Sequence, residues 1–547
     1  MENGGWNIGD YEVARRQFRL EVPERFNWAR DVVERWAQDP HKLAMWWIDD
    51  HGNEKKLTFR HFVDRSARLG GALQKAGVRP GDRVIVFLGR VPEWWETMLA
   101  CFRIGAVAAP GTVLLTPRDL RYRFELAGPA AVITDEAGAR KVDEVREQFP
   151  GIKAFLTTGP AREGWTAYED ALAAAEPAPY ADTHRDDPAL LYFTSGTTGY
   201  PKMVLHTQSY PVGHRVTGEL WIDLKPTDLH WNISDTGWAK AAWSSLCGPW
   251  NAGAAVFVHQ PKGGFDARRT LDILSTYPIT TLCGAPTIYR SLVLEDLSRW
   301  KFPTLRHCVG AGEPLNPEVI HTWREATGLT IRDGYGQTET VCLVANFPTI
   351  EVRPGSMGKP SPGFEVAIVD DQGNVLPPGQ EGNIAVKVEP ERPIGMFVGY
   401  WQNEEATRST RIGPWYITGD RGYMDEDGYF WFVGRADDVI LSSGYRIGPF
   451  EVESALLEHD AVAESAVVSS PDPVRGEIVK AFVVLAPGYS PSPELVTELQ
   501  EHVKRVTAPY KYPREIEFVD SLPKTISGKI RRVELREREW KKKQGAR

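Results

Sequence analysis

Residues Tyr192–Lys202 read YFTSGTTGYPK. The stretch is poor in bulky side chains and rich in hydroxyls and glycine. It follows the apolar run Ala189-Leu190-Leu191, which predicts a strand ending at Tyr192-Phe193. Thr194, Ser195, Gly196, Thr197, Thr198 and Gly199 come next. Glycines let backbone N–H groups turn toward an anion, and the hydroxyls add uncharged donors. Tyr200 and Pro201 then lead to Lys202, whose ammonium can reach phosphate oxygens as a point charge. The physical reading is a phosphate-holding loop after a strand. A Walker A loop would place Lys directly after the second Gly and Ser or Thr after the Lys. Here Tyr200 and Pro201 intervene, and Met203 stands where the metal-binding hydroxyl belongs. A flexible linker is a plainer reading, but apolar runs such as Met203-Val204-Leu205 flank the loop.

The surrounding chain has 547 residues, which predicts two to four domains or subdomains at about 100–200 residues each. Its 42% hydrophobic and 25% charged content is that of a globular protein able to bury large cores. A net charge of −9 gives no reason to expect nucleic acid as a partner. Cys101, Cys247, Cys283, Cys308 and Cys342 are scattered without a CxxC pair, so buried reduced thiols are expected rather than zinc or disulfides. Glu2, Asp10 and Glu12 argue against a secretory signal or transit peptide. No run approaches the ~18 apolar residues of a membrane span. The terminal KKKQGAR matches no retention or peroxisomal address. The expected setting is cytoplasmic.

Apolar strands alternate with helical stretches on both sides of the loop. The expected strands are 83–88, 106–109, 130–134, 254–258 and 280–283, and the expected helices are 58–77, 94–104 and 266–276. That alternation predicts parallel βαβ units and a doubly wound sheet. The aromatic first 40 residues read as an arm packed on the body. From about 350 to 434, short strands between turns such as Pro377-Pro378-Gly379 predict a small antiparallel β subdomain. Arg435-Ala436-Asp437-Asp438 punctuates two strands and marks a boundary. Beyond it a helix at 450–457, strands at 463–468 and 481–485 and a helix at 495–505 predict a small α+β domain.

Five further segments hold candidate chemistry. In Asp333-Gly334-Tyr335-Gly336-Gln337-Thr338-Glu339-Thr340, a tyrosine between glycines can lie against a flat base. Thr338 can hydrogen-bond a carboxylate or an α-phosphate, and Glu339 is a hard oxygen ligand suited to Mg²⁺. A glycine-rich turn with a solvated Glu is the plainer reading of that segment alone. Val309-Gly310-Ala311-Gly312-Glu313-Pro314 allows close backbone approach by a ligand, or is a simple strand-to-helix turn. Trp415-Tyr416-Ile417-Thr418-Gly419-Asp420 places an aspartate at an expected strand end. Gly434–Asp438 with Ser442-Ser443-Gly444-Tyr445-Arg446 reads locally as a charged hinge and a turn. Pro523-Lys524-Thr525-Ile526-Ser527-Gly528-Lys529 reads locally as a basic, solvated tail.

Together, in their order along the chain, the six stretches resemble the adenylate-forming superfamily of acyl-CoA synthetases, luciferases and peptide-synthetase adenylation domains. Four more stretches, around Ser234–Trp238, Arg392–Gly395, Ser470–Glu477 and Thr507–Arg514, resemble its medium-chain acyl-CoA synthetase branch. The resemblance runs from about Phe26 to Arg532. It implies an α/β fold: a large N-terminal domain (1–434) with two doubly wound sheets plus the small antiparallel β subdomain, and a mobile small α+β C-terminal domain (435–547). It implies a nucleotide site built from Thr194–Lys202, Gly312, Glu313 and Asp333–Gln337, with Asp420 and Arg435 on the ribose and phosphates. Thr338, Glu339 and Lys529 are the implied catalytic residues, with Glu339 as metal ligand and Lys529 as the adenylation lysine. Asp437 falls at the hinge. Ser443, Gly444, Tyr445 and Arg446 would flank the pantetheine arm, and Arg475, Lys504, Tyr512 and Arg514 the CoA nucleotide. Trp238, Gly310 and Thr338 would line the acyl pocket. Close relatives often carry Glu-Ser where Asp333-Gly334 stands, and animal members carry mitochondrial leaders, which the acidic Glu2, Asp10 and Glu12 lead one not to expect here.

The implied activity is ligation of a medium-chain fatty or aromatic carboxylic acid to CoA through an acyl-adenylate. ATP, Mg²⁺ and coenzyme A are the implied cofactors, and a homodimer is the candidate assembly. A carrier-protein-loading adenylation enzyme shares every ATP motif, and Arg475 with the Tyr512 region favours free CoA against it. A luciferase-like oxygenase and a non-catalytic nucleotide binder share the fold, and the presence of both Glu339 and Lys529 argues against the latter.

Overall fold

The computed structural model describes residues 6–194, 201–442, 445–473, 475–525 and 529–545. The expected helices form where their capping residues sit. Thr58 accepts from the His61 N–H to start the helix Phe59–Lys75, and Asp266 accepts from Arg269 N–H to start Ala267–Thr276. Pro92 occupies the first turn of Pro92–Ile104, and Gly105 ends it at φ 72°.

Among the described residues the strands build three sheets. The first has eight strands, with Val107–Pro110, Arg83–Phe87, Ala131–Thr134 and Ala154–Thr157 all parallel to their neighbours. Pro188–Thr194 joins this parallel set beside Val107–Pro110 and then pairs antiparallel with Lys202–Thr207. The opening stretch is therefore the two arms of a hairpin at the sheet's margin, with Thr194 opposite Lys202. Ser195 to Tyr200 lie outside the described residues.

The second sheet has fourteen strands. Its parallel part runs through Leu43–Asp49, Ala255–Gln260, Leu229–Asn232, Thr281–Gly284, His307–Ala311 and Ile331–Gly336. The antiparallel strands expected between 350 and 434 are present. They continue this same sheet rather than standing beside it, because Ser356–Pro360 pairs with Cys342–Ala345 on one side and with Phe430–Arg435 on the other. The change to antiparallel pairing already begins at Cys342–Ala345, opposite Ile331–Gly336. Val84 and Val86 of the first sheet and Val256 and Val258 of the second share one core, which also holds Trp28, Trp94, Trp95 and Trp250. The arm packs as expected: Asn7 N–H donates to Asp223 and the Trp6 ring sits 5.4 Å from that of His307.

Phe430–Arg435 is the last segment of the large sheet, and the next strand, Ile440–Ser442, belongs to a third sheet of five strands. Its strands Val462–Asp472 and Gly476–Leu485 form a long hairpin covered by Pro449–Leu457 and Pro493–Val506. All five cysteines are free and buried. No helix among the described residues is long and apolar enough to cross a membrane.

Candidate active site

A cleft of about 1990 Å³ opens between the carboxyl ends of the parallel strands and the C-terminal segment. Ligands of open α/β sheets bind at such strand ends. Thr194, Pro201, Lys202, Trp238, Gly312, Glu313, Asp333 to Glu339, Asp420, Arg435 and Lys529 all line it. Residues more than 300 positions apart thus share one wall.

Asp420 lies inside the strand Trp415–Met424, not at its end as expected from sequence. Gly419 before it adopts φ 74°, where the pairing with Gly382–Lys387 is irregular, and the carboxylate turns into the cleft. Its Oδ2 accepts from Tyr335 Oη at 2.6 Å and from Gln337 Nε2 at 2.7 Å, and its Oδ1 accepts from Arg435 Nη1 at 2.9 Å. Tyr416 Oη donates to Gln337 Oε1, which orients the amide. Burial opposes the charge on Arg435, but Asp420 beside it outweighs that and raises its pKa.

Glu339 is half-buried in the cleft wall, and desolvation pushes its carboxyl above the usual carboxylate range, while a 2.8 Å hydrogen bond from Tyr400 Oη pulls it back. The Lys202 ammonium lies 4.8 Å from the centre of the same Tyr400 ring. Tyr400 thereby couples the hairpin lysine to the carboxylate, and nothing in its sequence surroundings marked it. Thr338 is fixed through its carbonyl, which accepts from His206 Nε2 at 2.7 Å. Burial lowers the His206 pKa to about 3, so the ring is neutral and its Nε2 carries the proton.

Glycines in this region answer to packing as much as to ligand approach. A Cβ on Gly334 would come 2.4 Å from the Trp221 ring, and one on Gly336 would come 2.3 Å from the Val341 carbonyl. Gly237, in the Ser234–Trp238 stretch, lies so close to Thr112 that a Cβ would come 2.1 Å from its backbone nitrogen. Asp235 spans the same contact, accepting from Thr112 Oγ1 and from Gly237 N–H. Asp333 is buried without an ion pair among the described residues, and burial lifts its carboxyl to about 8.

Gly310 does not line the cleft, against the expectation from sequence. It sits inside the strand His307–Ala311, paired with Gly284 and Asp333, and the cleft wall begins one residue later at Ala311. Trp238 does line the cleft. Lys240 and Arg290 also line it and were not singled out from sequence. Arg290 bonds Glu313 at 3.2 Å and Asn316 at 3.1 Å, and Asn316 Nδ2 reaches Ser454 Oγ of the C-terminal segment at 3.0 Å.

The C-terminal residues divide into two groups. Lys529 faces the cleft, held at its backbone by Thr525. Tyr445 and Arg446 are exposed on the strand Tyr445–Ile447 and do not line the cleft; Tyr445 stacks on Tyr510 with ring centres 4.2 Å apart. Ser443 and Gly444 lie outside the described residues. Lys504 and Arg514 both sit over the Tyr512 ring, at 4.2 and 4.8 Å. Arg475 lies in the turn next to Gly476, which pairs with Ser442. The carbonyl of Asp437 and the carboxylate of Asp438 both accept from Arg536.

Residues 32–401 match the family model of the AMP-binding enzymes, and residues 451–529 match that of the AMP-binding enzyme C-terminal domain. The chain is 51% identical to the mitochondrial acyl-coenzyme A synthetase ACSM3 of Mus musculus over 98% of this chain and 94% of that one. It is 52% identical to the Homo sapiens ACSM3 over 98% and 93%. Among solved structures it resembles the anthranilate CoA ligase AuaEII in complex with anthranoyl-AMP, with a TM-score of 0.87 and 32% identity over 96% of this chain and 99% of that one. It also resembles an acyl-CoA synthetase of Brucella canis, with a TM-score of 0.75 and 38% identity over 97% and 99%. The chain therefore belongs to the AMP-binding enzymes and, within them, to the acyl-CoA synthetases.

Proposed function

We propose that this protein is an ATP-dependent carboxylate–CoA ligase acting on medium-chain fatty or aromatic acids. The acid's carboxylate attacks the α-phosphate of ATP, releasing pyrophosphate and forming an acyl-adenylate. The CoA thiolate then attacks the acyl carbon and releases AMP. The observation that carries this reading is the convergence of Lys202, Glu339, Asp420, Arg435 and Lys529 on one cleft. The relatives' names support the acyl-CoA product, and the benzoate CoA ligase of Burkholderia xenovorans, 29% identical with a TM-score of 0.82, supports extending the range to aromatic acids.

Each residue's task follows from its surroundings. Asp420, already aligned by three donors, accepts from the ribose hydroxyls. Lys202 neutralises the phosphates that leave. Lys529 places a positive charge where the carboxylate meets phosphorus, so stabilisation is aimed at charge developing in the transition state. Thr338, fixed by His206, orients the carboxylate, and catalysis is mainly positioning. The donor set fits Mg²⁺, which asks for few protein ligands beside phosphates and water. Glu339 would hold it, and the ion would supply charge neutralisation at the phosphates.

The reading includes a boundary at 434/435, with Asp437 as pivot of the C-terminal domain. Lys529 lines the cleft while exposed Tyr445 and Arg446 do not, which supports it, since rotation could exchange one for the other. The buried, free cysteines support a reducing compartment, and the cytoplasm is the proposed one. The decisive experiment is formation of acyl-CoA, AMP and pyrophosphate from a panel of C2 to C12 and aromatic acids with CoA as the only thiol. A product seen only with a carrier protein would overturn the CoA assignment.

A further inference from the structure

One cation in the cleft wall has no part in the roles above. Lys240 belongs to the short helix Ala239–Ala242, two residues after Trp238. Its Nζ donates a 2.9 Å hydrogen bond to the Ala311 carbonyl, at the end of the strand His307–Ala311. Among the described residues it forms no ion pair. An ammonium has three donors, so two remain for the cleft. Burial lowers the Lys240 pKa, against the opposing pull of Cys283, Glu313 and Asp333, and the positive charge of Lys529 acts in the same direction as burial. Trp221, Trp238 and Trp243 line the same cleft.

A plain hydrocarbon chain packed against these rings would leave the amine's free donors unpaired. Sites built around a buried donor discriminate against ligands that lack the matching acceptor, because the donor loses water and gains nothing. The amine also lies near the chemistry rather than at the far end of the cleft. Its acceptor, Ala311, directly precedes Gly312 and Glu313, which line the same cleft as Lys529.

We propose that Lys240 is a specificity-determining residue, and that the preferred acyl groups carry a hydrogen-bond acceptor close to the carboxyl carbon. The class is a hydroxyl or carbonyl oxygen on the α or β carbon, or ortho to the carboxyl group of an aromatic ring. The inference rests on the ligase reading and narrows its substrate.

The test compares octanoate with 2-hydroxy- and 3-hydroxyoctanoate, and benzoate with 2-hydroxybenzoate. kcat/KM for thioester formation is measured for the wild type, Lys240→Met and Lys240→Gln. The wild type is expected to favour at least one oxygenated acid over its parent by about tenfold or more. Lys240→Met should lower that ratio about tenfold through loss on the oxygenated acid, and Lys240→Gln, which still donates, should keep part of it. Two results overturn the proposal: a wild type indifferent to the oxygen, or a Lys240→Met variant that loses equally on both members of each pair. A thermal shift with ATP reports whether each variant is folded, and if the methionine variant is not, the wild-type ratio and the glutamine variant decide. If the wild type makes no thioester from any acid, the ligase reading fails. Calorimetric binding of the same acid pairs to the wild type and Lys240→Gln then decides the role of Lys240 separately.

Discussion

Asp420 and Arg435 face each other across two antiparallel strands, joined by a 2.9 Å hydrogen bond from Nη1 of the arginine to Oδ1 of the aspartate. Tyr335 and Gln337 hold the other oxygen. A carboxylate aligned on both sides is preorganised for a ligand's hydroxyls, so little reorganisation accompanies binding. Removing Arg435 leaves that carboxylate less well partnered. The side chain of Arg435 is 37% exposed, which screens part of the loss. Arg435→Met should therefore lower kcat/KM for ATP in pyrophosphate release by roughly tenfold to a hundredfold. An unchanged value would remove Arg435 from the nucleotide site.

Lys529 is expected to matter for one half-reaction alone. Lys529→Ala should lower carboxylate-dependent pyrophosphate release by about 10²–10³-fold, the scale of losing one preorganised charge donor. Conversion of a pre-made acyl-adenylate with CoA should change little. Equal loss in both half-reactions would contradict the assignment.

The Tyr400 hydroxyl stabilises the ionised form of Glu339 against burial. Without it the carboxyl binds a proton more readily, so its pKa rises further. In Tyr400→Phe the acid limb of the pH profile for pyrophosphate release should move to higher pH. A profile identical to that of the wild type would mean Glu339 does not have to be ionised for this step.

Gly334 and Gly336 flank Tyr335 in tight packing. Gly334→Ala would push a methyl into the Trp221 ring, and Gly336→Ala would push one into the Val341 carbonyl. Each should destabilise by about 1–3 kcal/mol, the usual cost of overpacking. Urea midpoints measure it, and wild-type midpoints would show that the backbone moves aside freely.

Burial drives the pKa of His206, His230 and His307 down to about 3 from the ordinary 6.5. The folded protein keeps these rings neutral, while the unfolded chain protonates them below about pH 6.5. The unfolded state then binds more protons, so stability falls as pH drops from about 6.5 toward 3. Each ring contributes a slope of up to about 1.4 kcal/mol per pH unit. Tm should be level near pH 7–8 and decline below about pH 6, with a shallower decline in His230→Gln. A Tm that stays constant from pH 7 to 5 would contradict this account.

Much of this was legible along the chain. The helix 58–77 ends within two residues of where Thr58 and Gly77 place it, because capping and turn chemistry are local. The strands expected at 83–88 and 130–134 announced themselves as apolar runs, and the observed strands Arg83–Phe87 and Ala131–Thr134 are almost wholly buried. Asp333–Glu339 and Lys529 were identified through the family resemblance of their segments, Lys529 against its local reading as a solvated tail, and they do line one cleft. Asp420 was found too, but its place within a strand was not, because the irregular pairing that turns it depends on a partner strand more than 30 residues away. Tyr400 and Lys240 carried no local signal, since a tyrosine before a tryptophan and a lysine between alanines read as ordinary packing and surface.

The order of segments, the βα alternation and the hydroxyl- and glycine-rich stretch at Tyr192–Lys202 were determined by the sequence alone, because side-chain period and backbone freedom act over a few residues. Only the tertiary structure decided that the stretch spans a hairpin, and that the antiparallel strands continue the large sheet. It also decided that Lys202 meets Glu339 through Tyr400 and that Lys240 points its amine at Ala311. Those outcomes depend on register and packing between elements distant in the chain, where a shift of one residue would turn each side chain to the opposite face.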